Sequence, residues 1–296
     1  MNSKSKRIEQ KTSRTAQFTC VSRAASLFEK LPQYKSDDYI AYQLLPRFIQ
    51  FLIKLGLIGN LYKKTKSSKG IYEYVIARTK LIDSIFNNAV VEKFDQILIL
   101  GAGFDSRGIR LLDPSLNAKV FELDAPVTQN AKIKQFQKRK IAINPNIVFI
   151  SIDFEKNSLE KKLIDAGFGK KKRSLFILEG LLMYLDTETV DSTFKIINEF
   201  GGMKSEIVFD CIYSSVLRKE NIYYGEEGIV ERLERANETW LFGIERGEIE
   251  TFLKEYSFKL IRNYSSEELE NMYFKDEKNN LVARVNGTHS ITHAKK

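Results

Sequence analysis

The chain has 296 residues, of which 43% are hydrophobic and 29% are charged, as expected for a soluble protein with one large domain or a domain with a cap. Lysine and arginine outnumber aspartate and glutamate by 47 to 38, which raises the question of nucleic-acid binding. The excess is mostly dispersed lysine without interleaved aromatic residues, so we expect no nucleic-acid partner.

The start of the chain and its cysteines indicate a cytoplasmic protein. Residues 1–11 are polar and basic with no apolar core behind them, so no signal peptide is visible. Cys20 and Cys211 stand far apart and form neither a metal-binding nor a redox spacing. We therefore expect free thiols, no metal ion and a cytoplasmic location. No stretch reaches the length of an uncharged membrane span, so no stable membrane insertion is expected.

Before residue 90 the apolar residues recur mostly at helical spacing, which predicts helices over 15–30, 37–55 and 70–87. The nearest approach to a membrane span is the stretch 44–62, which Arg47 and Lys54 interrupt. This stretch could form a helix on a membrane surface or a cap helix packed on the main domain. The second interpretation is favoured.

After residue 90, short β-branched runs alternate with amphipathic stretches of helical length, which is typical of a mainly parallel α/β sheet. Strands are predicted over 96–100, 119–123, 147–150, 174–178 and 206–210, with helices over 105–112, 127–138, 159–166 and 187–200 between them. Parallel strands need crossover connections, so we expect a doubly wound sheet with helices on both faces. Further helices are predicted over 229–240, 247–256 and 265–274, and further strands over 257–263 and 281–291.

Ligands of open α/β sheets bind beyond the carboxyl ends of the strands, so the residues at those ends are the candidate site. The first strand ends in Gly101-Ala102-Gly103, where the backbone can approach a ligand closely, although a purely structural turn fits equally well. The second strand ends at Asp124, whose carboxylate can accept from both hydroxyls of a ribose. Glu122 shares its strand face, and Asp124 is preferred because it stands at the strand's end.

The third and fourth strands are also followed by acidic residues. Asp153 and Phe154 follow the third strand, where a carboxylate could accept from an adenine amine and a ring could stack on the base. Glu179 and Gly180 follow the fourth strand, and a glutamate after such an apolar run indicates a carboxylate with a partner or ligand. Together, the four strand ends predict a nucleoside-binding site.

The choice between a dinucleotide and S-adenosylmethionine depends on charge. The third glycine of a dinucleotide site would stand at position 106, which is Ser106. Asp105, at the start of the next predicted helix, would repel a phosphate but suits an amino group and a sulfonium. This favours S-adenosylmethionine and leaves an NAD-dependent oxidoreductase open.

In these segments the sequence resembles the leucine carboxyl methyltransferases and their bacterial relatives, which include polyketide O-methyltransferases. The stretch 100–107 resembles the family's glycine motif, and Asp124-Ala125 resembles its ribose-binding strand end. The stretch 179–185, Glu-Gly-Leu-Leu-Met-Tyr-Leu, is the most specific match. Residues 74–80 resemble the helix that supplies an arginine, here Arg78, to the methionine carboxylate of the cofactor.

The resemblance implies a class I methyltransferase fold: a Rossmann-like, seven-stranded sheet that ends in an antiparallel strand, with an added helical cap. It implies a helical segment over residues 1–90 that covers the cofactor site, and a cofactor-binding domain over 91–296 with a cap insertion around 212–246. S-adenosylmethionine is then the methyl donor, S-adenosylhomocysteine the product, and an oxygen, often of a carboxylate, the acceptor. The eukaryotic members methylate a protein, but the shorter N-terminal segment here resembles the bacterial type.

The methyl acceptor is less well defined. A carboxylate is ionised at neutral pH and needs no general base, whereas a hydroxyl would need one, usually a histidine. The chain contains only His289 and His293, and we expect both to be exposed tail residues. We therefore favour a carboxylate of a small molecule or peptide, and leave open a hydroxyl acceptor or a cofactor-binding protein without catalysis. Four aromatic residues could line the acceptor pocket or simply form the cap core: Tyr223, Tyr224, Trp240 and Phe242.

Overall fold

The computed structural model of the chain describes residues 13–65, 69–116, 118–153, 157–236 and 239–296. Its centre is a seven-stranded sheet in the order β3-β2-β1-β4-β5-β7-β6. The strands are β1 Gln96–Leu100, β2 Lys119–Asp124, β3 Ile147–Ser151, β4 Ser174–Leu178, β5 Glu206–Ile212, β6 Lys259–Tyr264 and β7 His289–Lys295. Pairings among the first five strands are parallel, whereas β7 runs antiparallel to β5 and β6. The predicted doubly wound, mainly parallel, seven-stranded sheet is confirmed.

Helices surround this sheet. They are α1 Arg14–Ser26, α2 Tyr39–Leu44, α3 Arg47–Lys54, α4 Leu57–Lys64, α5 Ile71–Val91, α6 Arg107–Arg110, α7 Pro126–Arg139, α8 Leu159–Asp165, α9 Thr187–Phe200, α10 Ser214–Leu217, α11 Glu226–Ala236, α12 Ile249–Glu255 and α13 Ser266–Tyr273, with 3₁₀ turns at Pro32–Tyr34 and Leu182–Tyr184. Over the residues that the structure describes, each helix is too short or too polar to cross a bilayer.

The hydrophobic core lies on both faces of the sheet. Successive residues of β1 point to opposite faces, so Ile97 and Ile99 join one cluster, which includes Phe86 of α5. Leu98 joins the other cluster, which includes Phe194 of α9. All residues of β1 and β4 are buried, as expected for parallel strands covered by helices on both sides.

Several predicted elements are wrong in extent, and for three of them the structure shows the physical reason. The helix predicted over 37–55 is two helices, because Pro46 forces Leu45 into an extended conformation and then starts α3. The helix predicted over 105–112 is the single turn α6, because the Asp105 backbone still belongs to the preceding turn, with its N–H donating to the Ala102 carbonyl over 2.7 Å. The last strand, predicted over 281–291, begins at His289, where pairing with β5 and β6 begins.

Candidate functional site

The glycine turn after β1 has a conformation that favours glycine. Gly101 and Gly103 have φ angles of 68° and 51°, in the left-handed region. The N–H of Ala102 donates to the Leu123 carbonyl over 2.8 Å, which joins the turn to β2. A Cβ atom on Gly103 would lie 3.1 Å from the Cβ of Ala16 in α1. Helix α1 therefore lies directly against the turn.

Asp124 ends β2 beside this turn. Its carboxylate accepts hydrogen bonds from the backbone N–H groups of Gly103 and, over 2.6 Å, of Ala125. Because a carboxylate can accept about four hydrogen bonds, two acceptor positions remain for a ligand. Burial raises its pKa. Glu122, the alternative, is buried and forms an ion pair with Lys132, so the geometry favours Asp124 at this strand end.

The residues after β3 are described only in part. Asp153 is half-buried, and its backbone N–H donates to Oδ1 of Asn157 over 3.0 Å. Phe154 lies outside the described residues. An adenine contact for Asp153 and Phe154 stays a prediction.

At the end of β4, two arginines hold the carboxylate of Glu179. Nε of Arg78 lies 3.0 Å from one oxygen, and Nη1 of Arg107 lies 2.8 Å from the other. Burial opposes ionisation of Glu179, but the charges of Arg107 and Arg78 outweigh it and lower its pKa to about 2. Nη1 of Arg78 also donates to Asp210 over 2.5 Å, and the N–H of Gly180 donates to the same carboxylate over 2.6 Å. The ends of β4 and β5 are thereby joined.

These ion pairs belong to a larger charged cluster, which we call the arginine cluster. One oxygen of Asp83 lies 2.8 Å from Nε of Arg107, and the other lies 2.8 Å from Nη2 of Arg110. Oδ2 of Asp38 lies 3.2 Å from Nε of Arg23. No side chain of the cluster is more than 16% exposed. It comprises four arginines and five carboxylates: Arg23, Arg78, Arg107, Arg110, Asp38, Asp83, Asp105, Glu179 and Asp210. With every member ionised, one net negative charge remains.

Asp105, expected from the sequence to suit an amino group and a sulfonium, already has a partner within the protein. One of its oxygens accepts the backbone N–H of Arg107 over 2.7 Å, and the other pairs with the guanidinium of the same residue. The negative charge at this end of the sheet is a property of the arginine cluster as a whole.

Two residues of the site were missed in the sequence. Asp210 lies in β5 with its side chain fully buried, and the same strand-end reasoning applied to the fifth strand would have identified it. Arg107 stands two positions after Asp105 in the glycine motif, and its Nη2 atom is buried without a hydrogen-bond partner among the described residues. This nitrogen is a donor available to a ligand.

Helix α1 and its N-cap residue Ser13 contact the segments that follow three strands. Nη2 of Arg23 donates to the Phe104 carbonyl over 2.6 Å, after β1. The hydroxyl of Thr15 lies 3.2 Å from that of Tyr184, after β4. The N–H of Ser13 donates to Thr128 over 3.4 Å, after β2. The helix therefore lies across the end of the sheet at which the strand-end residues gather.

His289 is not an exposed tail residue, and that expectation is wrong. It begins β7, and the residue is 5% exposed. The centroid of its ring lies 4.5 Å from that of Tyr74 and 5.4 Å from that of Trp240. Its Nδ1 lies 2.7 Å from the hydroxyl of Thr288. Burial lowers its pKa to about 4. Through Tyr74, whose hydroxyl donates to Asp210 over 2.9 Å, this histidine adjoins the arginine cluster.

His293 was expected to be exposed for the same reason, and this is also wrong. It lies within β7, and its Nε2 is 2.7 Å from Glu206 at the start of β5. The sequence does not show that His289 and His293 are covered, because polar side chains near the end of a chain are typical of a solvated tail. Here they belong to a central strand whose neighbours cover them.

The four aromatic residues suggested for an acceptor pocket do not form one group. Tyr223 stacks on Tyr213 at 4.8 Å, and Phe242 packs on Phe252 at 5.9 Å. Tyr224 faces the guanidinium of Arg284. Trp240 is the member that contacts His289, and its Nε1 is buried without a hydrogen-bond partner among the described residues.

Comparison with known proteins places these features in context. The family model for leucine carboxyl methyltransferase matches residues 18–198. The "Putative S-adenosyl-L-methionine-dependent methyltransferase YktD" of Bacillus subtilis is 26% identical over 208 residues, or 70% of this chain and 68% of that protein. A Mycobacteroides abscessus protein of the same description is 32% identical over 126 residues, but the match spans only 43% of this chain and 41% of that protein. The crystal structure of a "putative methyltransferase" from Thermobifida fusca YX has the same fold, with a TM-score of 0.59, 15% identity, and coverage of 96% of this chain and 97% of that one.

Proposed function

The chain belongs to the leucine carboxyl methyltransferase family, and from this premise we propose that it transfers methyl to a carboxylate oxygen of a small molecule or peptide. It is a methyltransferase that uses S-adenosylmethionine as methyl donor. The family's description, which specifies carboxyl methylation of leucine, supports a carboxylate acceptor.

We assign the cofactor to the ends of β1 to β4. Asp124 would accept from the ribose hydroxyls, with Ala125 and the turn 101–103 beside it, and Asp153 and Phe154 would hold the adenine. Arg78 would hold the methionine carboxylate, with Glu179 and Gly180 lining the same part of the site, and the free Nη2 of Arg107 adds a donor there.

The residues present fit a cofactor of this charge. S-adenosylmethionine has one net positive charge, from an ammonium, a sulfonium and a carboxylate, and the arginine cluster has one net negative charge. The bound cofactor supplies an already activated methyl group, so the task of the protein is chiefly to position the acceptor in line with it.

The observation that most favours a carboxylate acceptor is the contact between the ring of Trp240 and that of His289, which is a weak base. The buried Nε1–H of Trp240 is a donor without a partner among the described residues, and a carboxylate would accept from it. His289, against the same ring, has its pKa lowered to about 4, whereas an effective general base titrates near the working pH. A donor beside a weak base suits an acceptor that is already ionised.

The test is formation of S-adenosylhomocysteine from S-adenosylmethionine with a panel of carboxylic acids, short peptides, and phenols or alcohols of matched shape. Trp240→Phe keeps the ring against His289 but removes the N–H, so we expect kcat/KM for the preferred carboxylic acid to fall by roughly 10- to 100-fold. Tyr223→Phe, which removes a hydroxyl elsewhere in the cap, is the matched control and should change little. Turnover of the panel's hydroxyl compounds but not its acids would contradict the proposal.

A hydroxyl acceptor is the second candidate, because a buried histidine does adjoin the arginine cluster. If His289 removes a proton from the acceptor, His289→Asn should lower kcat by a factor of roughly 10² to 10⁴. With a carboxylate acceptor, the same variant should lose less than about tenfold, because no proton is transferred. Cofactor binding without turnover of any acceptor would favour the non-catalytic alternative.

A further inference from the structure

The hairpin of α3 and α4 presents an apolar stripe to solvent. Phe48, Phe51 and Leu55 recur at spacings of three and four residues, which places them on one side of a helix. They continue into Leu57 and Leu61 of α4, and the five side chains are 52% to 68% exposed. We call these five residues the outer stripe.

The hairpin is anchored to the protein by its opposite side. Ile53 is fully buried, and Ile49, Ile58 and Tyr62 pack against the same hydrophobic cluster as α1 and α5. The outer stripe is therefore not needed to hold the hairpin in place. Large contiguous apolar surface of this kind marks an interaction site.

The charge on the hairpin itself is of one sign. From Tyr39 to Tyr72 the sequence contains six lysines and arginines and no aspartate or glutamate. Among these, Arg47, Lys54 and Lys64 are exposed on α3 and α4. A cleft of about 280 Å³ opens beside the hairpin, and Lys30 and Leu31 line it together with Lys54 and Leu55. Glu29 also lines the cleft, but its carboxylate lies 2.7 Å from Nζ of Lys63 and is neutralised there. Apolar side chains flanked by basic ones thus extend from the helices into the cleft.

We propose that the outer stripe docks on the surface of an anionic lipid bilayer, with Phe48 and Phe51 in the interface and the basic side chains at the headgroups. Helices with aromatic and leucine residues on one face and lysine or arginine beside them lie in bilayer interfaces in this way. Lysine is depleted at protein–protein interfaces, which disfavours a protein partner. Two copies of this face would repel each other because both are basic. The proposal does not depend on the identity of the methyl acceptor.

The experiment is sedimentation of the full chain with vesicles of phosphatidylcholine alone, or of equal parts phosphatidylglycerol and phosphatidylcholine. We expect binding to the anionic vesicles, weakened by added salt. Phe48→Ser with Phe51→Ser should weaken this binding about tenfold or more. Arg47→Gln with Lys64→Gln should weaken it about fivefold for each charge removed. Met203→Ser, which changes an 80% exposed apolar residue outside the hairpin, is the control and should bind like the parent.

Several outcomes would overturn the proposal. One is an absence of binding to anionic vesicles at low salt, and another is undiminished binding by the Phe48→Ser, Phe51→Ser variant. A concentration-dependent dimer that this variant abolishes, without vesicle binding, would assign the outer stripe to a second copy of the chain. Thermal unfolding and S-adenosylhomocysteine binding should be unchanged in every variant, since only exposed side chains outside the strand ends are altered. Failure here would therefore leave the proposed function intact.

Discussion

Replacing Glu179 with glutamine tests how much the arginine cluster stabilises the fold. The substitution removes one charge at the end of β4 and keeps the size of the side chain. Glu179 lies 3.0 Å from Nε of Arg78 and 2.8 Å from Nη1 of Arg107. Burial alone would raise its pKa, but Arg107 and Arg78 lower it from the usual 4.5 to about 2. The ionised carboxylate therefore stabilises the folded state.

The size of this contribution follows from the shift in pKa. At about 1.4 kcal/mol per pH unit, the shift corresponds to about 3 kcal/mol of unfolding free energy at pH 7. Because the folded-state pKa lies below the unfolded one, the contribution is essentially complete well above pH 4.5 and is lost as the pH falls toward 2. About 1 kcal/mol should be lost between pH 7 and pH 4, and about 1 kcal/mol should remain at pH 3.

Urea unfolding at several pH values between 7 and 4 would measure this difference for Glu179→Gln. The matched control is Glu199→Gln, because Glu199 is exposed and pairs with Lys170 at the surface. We expect the control to unfold like the parent at each pH. A loss below about 1 kcal/mol at pH 7, or one that does not shrink on acidification, would refute the reasoning. It would mean that the remaining carboxylates satisfy Arg78 and Arg107 without Glu179.

Three further changes test other parts of the site. Asp124→Asn should weaken S-adenosylhomocysteine binding by about tenfold or more in calorimetry, because the amide keeps only one accepting atom, and unchanged affinity would place the ribose contact elsewhere. Gly180→Ala should lower the unfolding free energy by about 1 to 2 kcal/mol in urea, since φ is 65° and the new Cβ would lie 3.4 Å from Nη1 of Arg78; an unchanged midpoint would contradict this. Burial raises the thiol pKa of Cys20 to about 11 and that of Cys211 to about 12. A thiol reagent at pH 8 should therefore label both cysteines only after unfolding. Rapid labelling of the native chain would show that one of them is accessible.

The sequence predicted the sheet and its strand ends well because each depends on local pattern. Apolar runs such as 96–100 and 174–178 were located to the residue, since strands covered on both faces are continuously apolar. The parallel arrangement then brings the ends of successive strands to one edge. This is why Asp124 and Glu179 could be singled out without knowledge of any contact.

Partners and burial were harder to predict because they depend on residues distant in sequence. Arg107 pairs with Glu179 across 72 positions, and nothing in either local pattern indicates that pairing. His289 is buried because β7 inserts between β5 and β6, which an isolated polar segment does not reveal. The stretch 44–62 has apolar residues on two sides of its helices, so helical spacing alone did not show that Ile53 faces inward and Phe48 outward.

In the sequence, Asp105 favours a positively charged cofactor over one with a phosphate. In the structure, Arg107 neutralises the carboxylate of Asp105. Glu179 is neutralised in the same way, so the strand ends do not offer several free carboxylates to a cation. What remains is a single net negative charge spread over the arginine cluster. It attracts a positively charged cofactor more weakly than several free carboxylates would. Selection of the cofactor must then depend more on shape and hydrogen bonding, at the glycine turn and at Asp124. This is the reason to expect Asp124→Asn to reduce cofactor binding directly, whereas Glu179→Gln acts first on the stability of the fold.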